Sequence, residues 1–300
     1  MFLRIDHATH YRYASPVGFT PHILRLIPRS TPGLRLLKSK IEITPTASVK
    51  WNLDLLGNIV GTATFPFTSD ELLIRSSLLL EQQLTNAFDF LLEERALSLP
   101  FSYLERELPL LSPFLQILDP TASSLLPGWL ATLINVPGTI SSAQNPPDTL
   151  TTLLSLNSAI RSLFHYTPRM IEGTWSVEEI LTRREGTCRD FAHLLIESAR
   201  FLGIGARYVS GYLCSAPGTI AESHTHGWCE LYLPGAGWRG FDPTNGILTD
   251  AHHIPVATSL SAGDIPPVEG SYCGESGLCL AQDVTITAQE LLPGEEIGEA

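Results

Sequence analysis

Apolar and polar residues alternate at the start of the chain. From Leu3 to Tyr13 the bulky residues fall on odd positions, and this period of two predicts a β-strand with one buried face. Similar stretches follow at 23–27, 40–44, 59–64 and 72–80, separated by segments rich in Pro, Gly, Ser and Thr. The pattern therefore predicts a β-rich N-terminal domain over residues 1–85.

The composition of the chain changes after this region. Residues 86–145 are rich in Leu and Glu with few β-branched side chains, which favours short helices over strands. Proline should end those helices, because it lacks the backbone N–H that an interior helical position donates. We expect breaks at Pro100, Pro109, Pro113 and Pro120, in a segment that connects two domains.

Helical periodicity is clearest in the second half of the chain. A first helix is predicted from Asp148, which can cap it, to Phe164, and Ser176 can cap a second, shorter one. A third begins within "EGTCRDFAHLL", where apolar residues recur every three or four positions, and Gly203 stands just past its end. Cys188 is thus expected in the first turn of the third helix.

Strand patterns return after that helix. The segments "ARYVSGYL", "HGWCELYL" and "WRGFDP" predict three strands, and "PGAG" predicts a hairpin turn between the last two. If those two strands are antiparallel neighbours, His226 at the start of one and Asp242 at the end of the other lie at the same end of the hairpin. Residues 146–295 are therefore predicted to form an α+β domain.

Three of these residues could form a thiol site. The unpaired N–H groups and positive dipole end of a helix N-terminus favour a cysteine thiolate, and such a nucleophile needs a base that a third group orients. A triad of Cys188, His226 and Asp242 closes if the Cys188 helix packs across the sheet with its first turn at the His226 edge. This arrangement remains conditional on that packing.

These motifs resemble a known family. "GTCRDFAHLLIESARFLGIGARYVSGYL", "HGW" and "FDPTNG" are similar to the bacterial transglutaminase-like superfamily, within the papain-like cysteine enzymes. "IDHATHYRYASPV", "HILRLIPR" and Gly57–Asn58 resemble the N-terminal domain of one bacterial subgroup. The resemblance implies a papain-like α+β core, with a helix bearing the cysteine packed on an antiparallel sheet, preceded by a sandwich-like β-rich domain.

The same resemblance implies acyl-transfer chemistry. Cys188 would attack a carboxamide or peptide carbonyl, His226 would act as general base and then acid, Asp242 would orient His226, and neither a metal nor a cofactor would be needed. The expected partner is a protein or peptide with a glutaminyl or other amide group. Water as acceptor gives a protease or amidase, whereas an amine gives a transglutaminase. The Cys188 N–H and Trp175 are the candidate oxyanion donors.

Two positions depart from the family pattern, and other interpretations remain open. Gly227 and Cys229 replace an expected Ala and an apolar residue. Cys188 could be a core residue, His226 an edge histidine bonded to backbone, and Asp242 a turn residue before Pro243. A zinc site from His224, His226 and Cys229 is also conceivable, as is a catalytically silent module that binds a protein partner.

Charge and cysteine content exclude some function classes. The net charge is −12 and no Lys/Arg cluster occurs, which makes nucleic acid and anionic membranes poor partners. No apolar run approaches the roughly 18 residues of a membrane span, and the N-terminus lacks a signal-peptide pattern. Five cysteines, an odd and small number, favour reduced thiols. We therefore expect a cytoplasmic protein, of unknown oligomeric state.

Overall fold

The computed structural model describes residues 1–133, 146–169, 173–215, 225–275 and 277–291. Five α-helices lie within these ranges: α1 (Leu108–Leu115), α2 (Ala122–Ala131), α3 (Thr149–Leu163), α4 (Val177–Arg183) and α5 (Cys188–Phe201). A short 3-10 helix spans Glu94–Ala96. None of these helices is long and apolar enough to cross a membrane.

Sixteen strands complete the described part of the chain. They are β1 (Phe2–Phe19), β2 (His22–Leu24), β3 (Leu34–Thr44), β4 (Ser48–Leu53), β5 (Ile59–Thr64), β6 (Ser69–Gln82), β7 (His165–Tyr166), β8 (Glu185–Gly186), β9 (Ala206–Leu213), β10 (Thr225–Leu233), β11 (Gly237–Asp242), β12 (Ile247–Leu248), β13 (His253–Ser259), β14 (Val268–Glu269), β15 (Tyr272–Cys273) and β16 (Cys279–Glu290). Together with the helices they form an α+β fold, as predicted.

The N-terminal domain is a sandwich of two antiparallel sheets. One has the order β15-β1-β6-β3, with β16 also paired to β1, and the other has the order β14-β2-β5-β4. Their facing side chains share one core, to which β1 contributes Tyr13 and Val17, β2 contributes Leu24, and β6 contributes Leu72 and Ile74. Strand β4 was not predicted, although Val49, Trp51 and Leu53 alternate with polar residues as in a strand, and nearly all of its residues are exposed.

The last strand differs from the predicted domain boundary. Residues 146–295 were assigned to the second domain, but β16 pairs with β1 from Leu3 opposite Glu290 to Tyr13 opposite Cys279. The end of the chain thus returns to the N-terminal sheet. An alternating pattern predicts a strand without saying which sheet it joins, because the pairing partner is remote in sequence.

The segment between the domains is helical, with one difference from the prediction. Pro109 lies at the start of α1 and Pro113 lies inside it, so Pro113 does not end this helix. The missing N–H removes one helical hydrogen bond, and burial of Leu111 on the same helix offsets that loss. Residues 134–145 at the end of the predicted connecting segment lie outside the described residues.

The second domain packs its helices on a third sheet of order β12-β11-β10-β9-β13. The predicted caps are present: the Asp148 carboxylate accepts from the Thr151 N–H before α3, and Ser176 forms a capping box with Glu179 before α4. Helix α5 ends before Gly203, whose φ of 77° is the left-handed conformation expected there. The core between α5 and the sheet includes Phe191 and Leu231, both fully buried.

Asn58 joins the two domains through its side chain. Its Nδ2 donates to the Thr258 carbonyl of β13 at 2.8 Å, and its Oδ1 accepts from the Thr258 N–H at 2.8 Å. Nδ2 also donates to Asp54 at 2.7 Å, while Gly57 adopts a φ of 77° in the same turn. The Gly57–Asn58 pair therefore makes a turn whose amide completes a strand-like pairing with the third sheet.

Candidate thiol site

Cys188 occupies the first turn of α5, as predicted. Thr187 precedes the helix, and its N–H and hydroxyl donate to Asp190 Oδ2 at 2.7 and 2.8 Å. This pairing caps the first turn, and the N–H of Cys188, as the first residue of the helix, has no carbonyl partner within it. Cys188 is half-buried, which leaves its thiol accessible at a positive helix end.

Asp190 also ties the chain before α4 to this turn. Its Oδ1 accepts from Arg169 Nη2 at 3.0 Å and from the Trp175 N–H at 2.8 Å. The Trp175 ring lies between two guanidinium groups, 4.2 Å from Arg169 Cζ and 4.7 Å from Arg183 Cζ. The described contacts of Trp175 therefore hold its ring and backbone in place, and its role as an oxyanion donor stays a prediction.

His226 lies between the other two predicted residues. Its Nε2 is 2.9 Å from Asp242 Oδ2. Burial lowers the pKa of His226, but the hydrogen bond to Asp242 and the nearby Cys188 side chain outweigh burial and raise the pKa well above the ordinary value. The structure thus brings all three residues together in the order thiol, imidazole and carboxylate.

Antiparallel pairing of β10 and β11 explains this proximity. Cys229 is opposite Phe241 in the register of the two strands, so the start of β10 and the end of β11 meet at one end of the hairpin. The predicted turn "PGAG" makes the connection, with φ values of 89° at Gly235 and 74° at Gly237. Local turn chemistry therefore positions His226 against Asp242.

Asp242 is fully buried and accepts five hydrogen bonds. Oδ1 accepts from the N–H groups of Thr244 and Asn245 at 2.9 and 3.3 Å, as a turn-forming Asp does. Oδ2 lies 2.6 Å from Asn245 Nδ2, 2.9 Å from His226 Nε2 and 3.1 Å from His253 Nε2. Burial raises the pKa of Asp242, but these donors outweigh burial and hold the pKa far below its usual range. Asp242 is both a turn residue and the partner of His226.

His253 is the site neighbour that sequence reasoning missed. It opens β13, which pairs with β9 rather than with β10 or β11, so neither spacing nor hairpin geometry connects it with Asp242. The "HH" pair at His252–His253, followed directly by the apolar run "IPVA", was the available signal.

Tyr208 fills the space between α5 and the start of β10. Its ring is buried, and burial together with the nearby Cys188 thiol raises the pKa of its hydroxyl, which therefore stays protonated. A Cβ on Gly227 would overlap the Tyr208 hydroxyl oxygen. The Gly at 227, where the family resemblance implied Ala, is thus explained by Tyr208.

Gly227→Ala tests this packing. We expect the free energy of unfolding to fall by about 1–3 kcal/mol, because neither the buried Tyr208 nor the paired strand can move aside freely. The double variant Gly227→Ala/Tyr208→Phe should lose less free energy of unfolding than the sum of the losses in the two single variants, because the hydroxyl oxygen closest to the new methyl group is gone. Urea unfolding of the four proteins gives the cycle, and strictly additive losses would contradict the contact.

Three other residues of the second domain, His193, Tyr212 and Trp228, have structural contacts. His193 Nε2 lies 3.0 Å from Asp119 Oδ2, which also accepts from the Val177 N–H at 2.7 Å. His193 is therefore a polar packing residue of α5. Trp228 and Tyr212 are buried in the core.

One cluster among the described residues has the side chains to hold a metal ion. His226, Asp242 and His253 offer three ligand atoms within 4.8 Å of one another. These atoms are joined by hydrogen bonds, and a metal ion would require both Nε2 atoms without their protons. The sequence also left open a zinc site of His224, His226 and Cys229. His224 lies outside the described residues, and Cys229 is buried in the core with its thiol toward the Phe241 carbonyl. Hydrogen bonding therefore explains the cluster without a metal ion.

Comparisons with known proteins identify the family of this chain. The family described as the bacterial transglutaminase-like N-terminal region matches residues 3–81, and the transglutaminase-like superfamily matches residues 139–243. An uncharacterized protein of Mycobacterium tuberculosis H37Rv is 30% identical over 289 residues, covering 89% of this chain and 86% of the relative. An uncharacterized protein of Mycobacterium leprae is 27% identical over 289 residues, covering 95% of this chain and 98% of the relative.

A solved structure shows the same fold. A Cytophaga hutchinsonii protein, provisionally named a cysteine protease, superposes with a TM-score of 0.68 over 98% of this chain and 93% of that chain, at 20% identity. Both family matches, the relatives that span nearly the whole chain and the shared fold lead to one conclusion. The chain belongs to the transglutaminase-like superfamily and carries the bacterial transglutaminase-like N-terminal region.

Proposed function

We propose that the protein is a cysteine enzyme that cleaves or transfers acyl groups at carboxamide or peptide bonds. The observation that carries the proposal is the His226 side chain, hydrogen-bonded to the buried Asp242 and near enough to Cys188 at the start of α5 for Cys188 to help raise its pKa. The name of the Cytophaga hutchinsonii protein supports the same reaction class. Substrate identity and the cytoplasmic location predicted from the sequence remain predictions.

The first half of the reaction forms a thioester. His226 takes the thiol proton of Cys188, and the sulfur attacks the amide carbonyl carbon, moving one electron pair onto the oxygen. The Cys188 backbone N–H, at the positive end of α5, stabilises the resulting oxyanion. When the C–N bond breaks, His226 returns the proton to the leaving nitrogen, so ammonia or an amine departs neutral.

The second half resolves the thioester. Water or a primary amine loses a proton to His226 and attacks the acyl carbon, and the proton then passes to the leaving Cys188 sulfur. Asp242 keeps its negative charge throughout and stabilises the imidazolium form of His226. The same groups serve hydrolysis and amine transfer, so the choice of acceptor depends on access to the thioester.

The accessible side of the site carries an aromatic residue. Tyr166 on β7 is 43% exposed, and burial and the neighbouring Cys188 thiol together raise the pKa of its hydroxyl. β7 pairs with β8, the strand directly before the nucleophile's turn. An extended peptide that reaches Cys188 would therefore pass the Tyr166 ring, which supports a protein or peptide substrate.

Thiol labelling tests the nucleophile. At pH 6 with limiting iodoacetamide, intact-mass and peptide analysis should show Cys188 labelled at least tenfold faster than Cys273 and Cys279, two exposed free thiols of the same chain. Access alone predicts the reverse order, because Cys188 is the less exposed residue. Equal or slower labelling of Cys188 would remove the basis of the proposal.

Product analysis tests the reaction. The protein is incubated with glutaminyl peptides with and without a primary amine, with Cys188→Ala as the control. Ammonia release with amine incorporation identifies a transglutaminase, ammonia release alone an amidase, and peptide cleavage a protease. If no product depends on Cys188, the catalytic proposal fails and the silent binding module is favoured.

A further inference from the structure

His253 is a second buried histidine on the carboxylate of Asp242. Its side chain is 2% exposed, and its Nε2 lies 3.1 Å from Asp242 Oδ2. On its other side, Nδ1 lies 2.9 Å from Asp250 Oδ1 and 3.2 Å from the Asp250 backbone nitrogen. The ring also packs edge-on against Trp228, with 5.4 Å between centroids. Contacts on three sides therefore fix its orientation.

His253 and His226 share one acceptor atom on Asp242. Oδ2 of Asp242 is also the atom that faces His226 Nε2, at 2.9 Å. A carboxylate held only by its turn could twist about its last torsion and move Oδ2 out of line with His226. A rigid donor on the far side of Oδ2 opposes that rotation, and it favours the ionised carboxylate.

We propose that His253 is a positioning residue that locks the Asp242 carboxylate toward His226 and so keeps the thiol site active at lower pH. The inference rests on the proposed function and deepens it. His253 does not contact the reacting atoms; it acts through Asp242, as outer partners of catalytic groups do in other sites.

The charged groups around the ring support this role. Among the described residues, His253 faces Asp242 from β11, Asp250 from its own segment and His226 from β10, whose ring centroid is 6.2 Å away. Burial lowers the pKa of His253, but hydrogen bonds to Asp242 and Asp250 outweigh burial and raise it. Nε2 therefore stays protonated and able to donate near neutral pH.

The first test compares variants by the pH profile of Cys188 labelling. His253→Phe keeps a ring without a donor, His253→Gln keeps an amide donor, and His252→Phe alters the neighbouring, partly exposed histidine as a matched control. We expect His253→Phe to move the acid limb of the profile up by about one pH unit and lower kcat about tenfold at unchanged KM. In His253→Gln the acid limb and kcat should both lie between those of His253→Phe and wild type. In His252→Phe both should equal the wild-type values.

The inference is overturned if a folded His253→Phe variant has the same pH profile of Cys188 labelling as wild type. It is also overturned if His253→Gln loses as much kcat as His253→Phe. Should the Phe variant not fold, ¹⁵N NMR of the wild-type imidazoles decides. The inference requires His253 Nε2 to carry a proton throughout the active pH range. A deprotonated Nε2 in that range would contradict it. Failure of the proposed function looks different, because wild-type Cys188 would then show no enhanced labelling in any of these experiments.

Discussion

Replacing His226 by Ala should abolish the enhanced reactivity of Cys188 near neutral pH while leaving the protein folded. We expect product formation to fall about 10³-fold or more, because the thiol loses the base that takes its proton and the acid that protonates the leaving group. The fold should persist, since Asp242 still accepts from Thr244, Asn245 and His253.

The pH dependence of labelling separates a base from a structural residue. The pKa of His226 is raised, so in wild type the imidazole holds the thiol proton through neutral pH. Labelling of Cys188 by iodoacetamide should therefore fall about 100-fold in His226→Ala at pH 6, and the difference should shrink as the pH rises and hydroxide ionises the thiol. Equal rates in folded wild type and variant at pH 6 would contradict the assignment.

Local signals explain why this much of the site could be predicted. The capping residues, the apolar period of α5 and the stop at Gly203 all lie within one stretch of sequence, and they determine that Cys188 begins a helix. His226 and Asp242 belong to one hairpin, so turn chemistry alone brings them close. Neither inference requires knowledge of contacts between distant segments.

Contacts between distant segments account for the rest. His253 reaches Asp242 from a strand that pairs on the far side of β9, and β16 crosses to the N-terminal sheet. Pro113 is itself exposed inside α1, and Leu111 of the same helix is buried. These differences depend on tertiary packing, and a single sequence does not encode packing as a periodic pattern.

Asp242→Asn should lower both activity and stability, with a characteristic pH dependence. The Asp242 carboxylate accepts from five N–H donors. A carboxamide has only one acceptor oxygen, and its NH₂ group would face another N–H donor, so at least one buried polar group would lose its partner. We expect kcat to fall about 10²–10⁴-fold, since His226 loses both its orientation and the charge that stabilises its imidazolium form. The free energy of unfolding should fall by about 3 kcal/mol.

The sign of the pH effect follows from the two pKa shifts. Asp242 has a lowered pKa, so its contribution is present above its ordinary value of 3.8 and is lost as the pH falls below it. His226 has a raised pKa, so its contribution is full below 6.5 and is lost as the pH rises toward its folded value of about 10. The stability difference between wild type and Asp242→Asn should therefore be largest between about pH 4 and 6.5 and smaller at pH 9.

Urea unfolding at pH 5.5 and pH 9 measures this difference. Asp250→Asn is the matched control, because Asp250 contacts His253 but has a side chain that is 45% exposed. Solvent screening at that exposure limits the expected loss in the control to less than about 1 kcal/mol. A loss in Asp242→Asn that is independent of pH, or no larger than the loss in Asp250→Asn, would show that the Asp242–His226 ion pair does not stabilise the folded protein.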